Sequence, residues 1–312
     1  MRLPDFLIIG SAKSGTTTLY EYLCRHPQIF MSTPKEPNFF AKEINYQKGI
    51  EWYASLFEEA QAGQICGEAS TPYTHQLQIP DLIERIFRVL PDVKLIYIIR
   101  HPVDRAYSQY QQQIKIAQGK NRRAKVKAFK IPETFEELLQ RGKQVIEADD
   151  YMNKIDVLAA SNYIAIIERY LEYFDRQSFL FLLLDDLVAK PQKTIERVCD
   201  FLNIEREIDL IPKEPIKANL ATEHRTWYLR SQITAPLKEI PGVSAMADLM
   251  PKKIRDSAYS ILKRMPYKKY VEQQYLPQPM LPETRAMLLQ KFQEPNQRLA
   301  EFLNRDLSHW SV

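Results

Sequence analysis

A lysine, two glycines and a cluster of hydroxyl residues are crowded into Gly10-Ser11-Ala12-Lys13-Ser14-Gly15-Thr16-Thr17-Thr18. The chemistry such a set supports is anion binding. A tight loop there turns its backbone N–H groups, and the positive end of the helix that follows, toward a phosphate or an equivalent oxyanion. Lys13 adds a mobile charge, and Ser14, Thr16, Thr17 and Thr18 add donors of little bulk. The flanks agree: Phe6 to Ile9 is a short apolar run that stops at Gly10, and Leu19, Tyr20, Leu23 and Cys24 share a helical face. Gly10 and Gly15 have the separation of the glycines in a triphosphate loop, G-x-x-x-x-G-K-[ST], but position 16 is Thr and the lysine comes at 13. The stretch is therefore a poor triphosphate loop, and its bland alternative is a strand-to-helix turn without a ligand.

Three further stretches carry candidate chemistry. Val93 to Ile99 is nearly continuous apolar sequence, as in a parallel strand covered on both faces, and it ends in Arg100-His101-Pro102-Val103-Asp104-Arg105-Ala106-Tyr107-Ser108. An arginine fork at that strand end suits a terminal phosphate dianion, with the Ser108 hydroxyl completing its coordination. In Thr33-Pro34-Lys35-Glu36-Pro37-Asn38-Phe39-Phe40 two prolines fix an extended turn that holds Lys35 off a helix. Gln64 to Glu68 reads as a short strand leading into Ala69-Ser70-Thr71-Pro72-Tyr73. Open α/β sheets bind ligands outside the carboxyl ends of their strands, so Glu68 is placed for a general base, the alternative being a carboxylate that caps the next helix.

These motifs together resemble the sulfotransferases that use 3′-phosphoadenosine 5′-phosphosulfate (PAPS). In that family a lysine precedes the loop glycine and hydroxyl residues follow it, and an R-[DHN]-P-x-x-R-x-x-S segment after a buried strand holds the nucleotide 3′-phosphate. Every fixed position of that segment is filled here, from Arg100 to Ser108, with His101 at a variable position read as a turn residue. A Lys-Glu-Pro-x-Phe-Phe segment lies beside the sulfate donor, and Lys35 is the matching residue. In the heparan-sulfate-type enzymes a Glu in an E-x-S-P-x-Y-like context acts as base, and Glu68 is the match. The chain departs in carrying Ala69 where Lys is common, and in the insertion-like Ser70-Thr71 before Pro72. The resemblance implies sulfuryl transfer from PAPS to a hydroxyl, with an amine as second choice because Ile166 stands where the N-sulfating branch has a histidine. It implies Glu68, Lys13 and Lys35 as catalytic residues. It also implies donor contacts from Lys13, Ser14, Gly15, Thr16, Thr17, Thr18, Arg100 and Ser108. Arg225, in a basic 3′ loop with His224 and Arg230 as neighbouring candidates, completes the donor set. No metal is expected, and the acceptor would be a glycan, glycolipid or small molecule.

The elements that must position these groups alternate strand and helix. Four short strands ending in polar loops indicate an α/β fold, and the resemblance implies its P-loop-like three-layer form with a central parallel sheet of about five strands. One domain is expected over 1–312, with a nucleotide-binding core at 1–205 and a helical C-terminal part at 206–312 that carries the 3′ loop. With 45% hydrophobic residues in 312 the core can be large, and a net charge of +4 is too mild to argue for nucleic acid. Three scattered cysteines in apolar contexts suggest buried thiols in a reducing compartment, and no CxxC or HExxH spacing is present. No signal-like or membrane-length apolar run occurs, so the expected location is cytoplasmic. The basic stretch 115–130 reads as a solvated loop or an acceptor-site lid, and 252–269 as a surface helix or a membrane contact. Two rival functions remain. One is a P-loop kinase or NTPase with Asp185 or Asp186 holding Mg²⁺, and the other is a non-catalytic nucleotide- or glycan-binding protein of the same fold.

Overall fold

The computed structural model describes residues 1–74, 79–123, 134–141, 156–206, 211 and 278–312. Five strands form one sheet: β1 (Phe6–Gly10), β2 (Ile29–Met31), β3 (Ile65–Ala69), β4 (Lys94–Ile99) and β5 (Phe179–Leu183), in the order β2-β3-β1-β4-β5. Every pairing is parallel. The fifth strand is β2, absent from the four that the sequence pattern picks out. It has three residues, too few to show a period, and it forms because Ile29, Phe30 and Met31 pair with Ile65, Cys66 and Gly67.

Alternation along the strands divides the core. Leu7, Ile9, Leu95, Tyr97, Ile99, Phe179 and Phe181 face one side. There they meet α3 (Gly49–Ser55), α4 (Leu82–Val89), α7 (Tyr163–Tyr170) and the C-terminal helix Pro282–Leu303. Phe6, Ile8, Ile96, Ile98 and Leu182 face the other. There they meet α1 (Thr16–Leu23), α8 (Leu184–Ala189) and α9 (Pro191–Leu202). Phe6 lies flat against the neighbouring strand only because residue 67 is glycine, where a Cβ would come within 2.2 Å of the ring. The result is the expected helix–sheet–helix sandwich. A satellite core joins α5 (Pro102–Arg123) and α6 (Phe135–Arg141) to Leu288 and Phe292 of the C-terminal helix. Between β2 and α3 lies α2 (Glu43–Tyr46), a single turn.

Two expectations change. Phe87, assigned to the buried stripe of α4, is 38% exposed and packs edge-on against Phe174 at the rim. Cys66 and Cys199 are buried, but Cys24 is exposed, because it follows the last turn of α1 where the helix leaves the sheet. Among the described residues no helix is long and apolar enough to cross a membrane. Residues 124–130 of the basic stretch, all of 252–269, and His224, Arg225 and Arg230 lie outside the described residues.

The chain visits β1, β2 and β3 on one side of the sheet and then crosses to β4 and β5 on the other. The crevice this leaves at the carboxyl end of β1 is where such sheets bind ligands.

Candidate active site

The loop after β1 is built as an anion cradle. Lys13 adopts φ 74° and Gly15 φ 90°, and Gly15 caps α1 without any side-chain hydrogen bond to the first turn. A helix N-terminus that no side chain caps is the kind of end at which anions bind. The loop is held rigid from below. Ser11 N–H donates to the Ile98 carbonyl at 2.7 Å, the Ser11 and Ser14 hydroxyls share a 2.6 Å hydrogen bond, and Ser14 N–H donates to the Ser11 carbonyl at 3.2 Å. Ser14 is fully buried, so its hydroxyl serves the loop rather than the crevice. Thr16 is buried too, whereas Lys13, Thr17 and Thr18 are half-buried at the rim.

Arg100 emerges from β4 beside this loop, and its guanidinium donates to the Lys13 carbonyl at 3.2 Å. Arg100 is thereby braced on the backbone of the loop that carries Lys13. Ser108 sits half-buried on α5, farther along the same element. Arg105, the second arginine of the R-x-x-x-x-R spacing, was not among the expected site residues. It is 1% exposed, its Nε donates to the Ser161 hydroxyl at 2.6 Å and its Nη2 to the Val157 carbonyl at 2.6 Å, and its Nη1 reaches the Ala12 carbonyl at 3.4 Å. It ties α5 and the 157–161 turn to the underside of the loop. The motif itself was the signal, since it fixes two arginines and only the first was given a role.

Lys35 and Glu36 lie at the neighbouring strand ends. The turn that carries them continues β2 alongside the exit of β3: Ser32 N–H donates to Gly67 O at 2.9 Å, Glu36 N–H to Ala69 O at 3.1 Å, and Asn38 N–H to the Ser70 hydroxyl at 3.0 Å. Lys35 Nζ is 6.0 Å from the Tyr20 ring centroid on α1 and 3.1 Å from Glu36 Oε1, which also accepts from the Thr71 hydroxyl at 3.1 Å. Both side chains keep access to solvent, 20% for Lys35 and 35% for Glu36.

Glu68 stands differently. It is at the carboxyl end of β3 as expected, but it shares the face of its partner Leu7 and is 0% exposed. The phenols of Tyr53 and Tyr73, also fully buried, and the Ser70 hydroxyl surround it. Burial pushes its pKa from 4.5 up to about 7, with nearby Glu36 raising it further and the three hydroxyls pulling it back. Those hydroxyls act at a distance, because neither carboxylate oxygen has a partner in hydrogen-bonding geometry among the described residues, and neither phenol has one. Glu68 is thus enclosed on the sheet face it shares with Leu7, with Tyr53 and Tyr73 beside it. Glu36 shares the proline-flanked turn of Lys35, and adjacency to that lysine is the one sequence signal it carries.

The acidic pair after β5 is committed elsewhere. Asp186 accepts two hydrogen bonds of 2.7 Å from Arg305, which hold its carboxyl below the usual range, and Asp185 pairs with His309 at 3.2 Å. Neither is placed as a free Mg²⁺ ligand over the loop. Ile166 is buried in the core face of α7.

A parallel sheet with this loop after its first strand and an arginine at the end of the adjacent strand defines the P-loop-like sulfotransferase fold. Comparison with known proteins bears this out. Residues 3–236 match the family model of the sulfotransferase domain, and the chain belongs to the sulfotransferase family. It is 33% identical over 203 residues to mouse (Mus musculus) heparan sulfate glucosamine 3-O-sulfotransferase 5, covering 65% of this chain and 54% of that protein. Human (Homo sapiens) heparan sulfate glucosamine 3-O-sulfotransferase 6 is 31% identical over 207 residues, covering 66% and 54%. The chain thus spans about half the length of the curated relatives it matches. A sulfotransferase of known structure from Alicyclobacillus acidocaldarius superposes with a TM-score of 0.64 over 100% of both chains at 22% identity, a likeness of fold.

Proposed function

We propose that the protein transfers a sulfuryl group from PAPS to an acceptor hydroxyl by in-line displacement. The observation that carries this reading is the convergence, at the carboxyl end of the sheet, of a helix N-terminus without a side-chain cap and its Lys13, of Arg100 braced on that loop, and of the Lys35–Glu36 pair. The donor set fits a molecule with two anionic ends: the loop amides and Lys13 suit its 5′ end, and Arg100 with Ser108 suits a 3′-phosphate. Arg225 is the further contact proposed from the 3′ loop. When bound, PAPS supplies a sulfuryl group on a phosphate leaving group. Lys13 and the amides would stabilise charge gathering on the departing phosphate, and Lys35 would turn from Glu36 to the sulfuryl oxygens. With fixed cations in place the step calls for no metal.

The acceptor O–H must lose its proton as the new S–O bond forms. A base works only within hydrogen-bond reach. Exposure favours Glu36, whose Oε1 is held by Thr71 and whose carboxylate opens to the crevice. The raised pKa favours Glu68, the sequence candidate, provided its enclosure by Tyr53 and Tyr73 opens. A hydroxyl acceptor is supported by relatives named as 3-O-sulfotransferases of heparan sulfate glucosamine, and by Ile166. A glycan is accordingly the first acceptor class to screen, followed by lipid-linked sugars and simple alcohols.

The test is calorimetric titration with 3′-phosphoadenosine 5′-phosphate (PAP) against ATP and AMP, without metal, followed by an acceptor screen with radiolabelled PAPS. Selective PAP binding that is lost in Arg100→Ala supports the donor. Equal affinity for AMP would return the kinase-like reading to first place, as would a strict Mg²⁺ requirement. In the screen, loss of turnover in Glu36→Gln with retention in Glu68→Gln assigns the base to Glu36, and the reverse pattern restores Glu68. PAP binding without turnover of any acceptor would favour the non-catalytic binding protein.

A further inference from the structure

Arg100 leaves β4 where its own backbone has run out of sheet partners, and one side chain satisfies both of its peptide groups. The Tyr163 hydroxyl donates to the Arg100 carbonyl at 2.7 Å and accepts from the Arg100 N–H at 3.4 Å. Tyr163 opens α7 and is 1% exposed. The Ser11 and Ser14 hydroxyls of the β1 loop lie against the same phenol. A single oxygen is thus bonded to the backbone of Arg100 and stands near the loop serines. Its ring is fixed by Tyr97, centroid to centroid 5.9 Å, and by Trp310 at 6.3 Å.

Trp310 arrives from the far end of the sequence and is itself 1% exposed. The segment that delivers it is fastened to the exit of β5 by the Arg305–Asp186 and His309–Asp185 pairs. Those pairs act together with the burial of Leu307 and Trp310 in the main core.

Building on the reading of Arg100 as the 3′-phosphate group, we propose that Tyr163, backed by Trp310, is a positioning residue that sets the spacing between Arg100 and the β1 loop. It is therefore a determinant of selectivity for a 3′-phosphorylated nucleotide. It touches neither end of the donor. Its effect passes through the backbone of Arg100, whose guanidinium can donate to a phosphate oxygen and to the Lys13 carbonyl at once only if the two are held at one distance.

The experiment uses the whole chain. PAP and AMP are titrated calorimetrically into wild type, Tyr163→Phe, Trp310→Phe and Arg100→Ala, with thermal unfolding recorded for each. Removing one oxygen in Tyr163→Phe should weaken PAP ~10-fold, the scale of one lost hydrogen bond, and leave AMP within about twofold. Trp310→Phe should weaken PAP in the same direction by less. Equal weakening of both nucleotides, or an unchanged PAP-to-AMP ratio, overturns the proposal and leaves Tyr163 a packing residue. If Arg100→Ala keeps the PAP preference, the 3′-phosphate reading itself has failed. If Arg100→Ala loses it while Tyr163→Phe keeps it, only the positioning role has failed.

Discussion

Replacing Glu68 by glutamine should make the protein more stable at neutral and alkaline pH. The side chain keeps its shape, but a carboxyl that titrates at about 7 becomes an amide that never ionises. In the unfolded chain this carboxyl loses its proton near 4.5, and in the folded one near 7. Between those values the native state holds a proton that the unfolded state has released, so stability falls as pH rises through the window and the full penalty is in place above it. At ~1.4 kcal/mol for each pH unit, the gap from 4.5 to about 7 is worth on the order of 3 kcal/mol. The cause is desolvation, which the surrounding Tyr73, Tyr53 and Ser70 hydroxyls offset only in part. Urea unfolding of wild type and Glu68→Gln at several pH values from 4.5 to 8 isolates the effect, because every other titrating group cancels in the difference. The variant should gain on wild type steadily through the window and level off above it. A difference that does not depend on pH would refute the argument and mean that Glu68 is better solvated, or better bonded, than the fold suggests.

Two other substitutions probe the scaffold of the loop. Gly15→Ala places a Cβ 2.8 Å from Leu184 Cδ1 at a residue with φ 90°, and the left-handed backbone alone costs ~1–2 kcal/mol. PAP affinity should fall about tenfold. Gly15→Ala with Leu184→Ala should recover the steric part only, and full recovery would show that the backbone angle is unimportant. Arg105→Met removes three buried donors beneath the loop and should lower unfolding stability by about 3 kcal/mol, along with donor affinity. Arg105→Lys should not restore either, because a point charge cannot replace a planar fork with three differently placed acceptors, and rescue by lysine would show that charge alone matters.

What was legible in the sequence follows from where the information is local. The loop at 10–18, the buried strand before Arg100 and the turn around Lys35 each carry their signal in adjacent residues, and the structure gathers all three at the carboxyl end of the sheet. Three features depend on partners distant in sequence. β2 exists because β3 pairs with it. Asp185 and Asp186 imitate a metal-binding strand end until Arg305 and His309 meet them. Tyr163 reads as one more apolar position on an amphipathic helix until its hydroxyl is found on Arg100.

The direction in which Glu68 points is a subtler case. Position at a strand end was correctly read, but a strand end has two faces, and the register with β1 puts Glu68 on the same side as Leu7, under Tyr53 and Tyr73. A shift of one residue would have turned it to the opposite face. Glu36 has no such ambiguity, since it lies beyond the sheet in a turn whose own bonds to Ala69, Ser70 and Thr71 hold it at the edge. The two carboxylates therefore differ in setting. Glu68 holds a proton near neutrality in a closed, aromatic setting, and Glu36 offers a reachable oxygen. Only a residue of the second kind can collect a proton from an arriving acceptor without the core first opening.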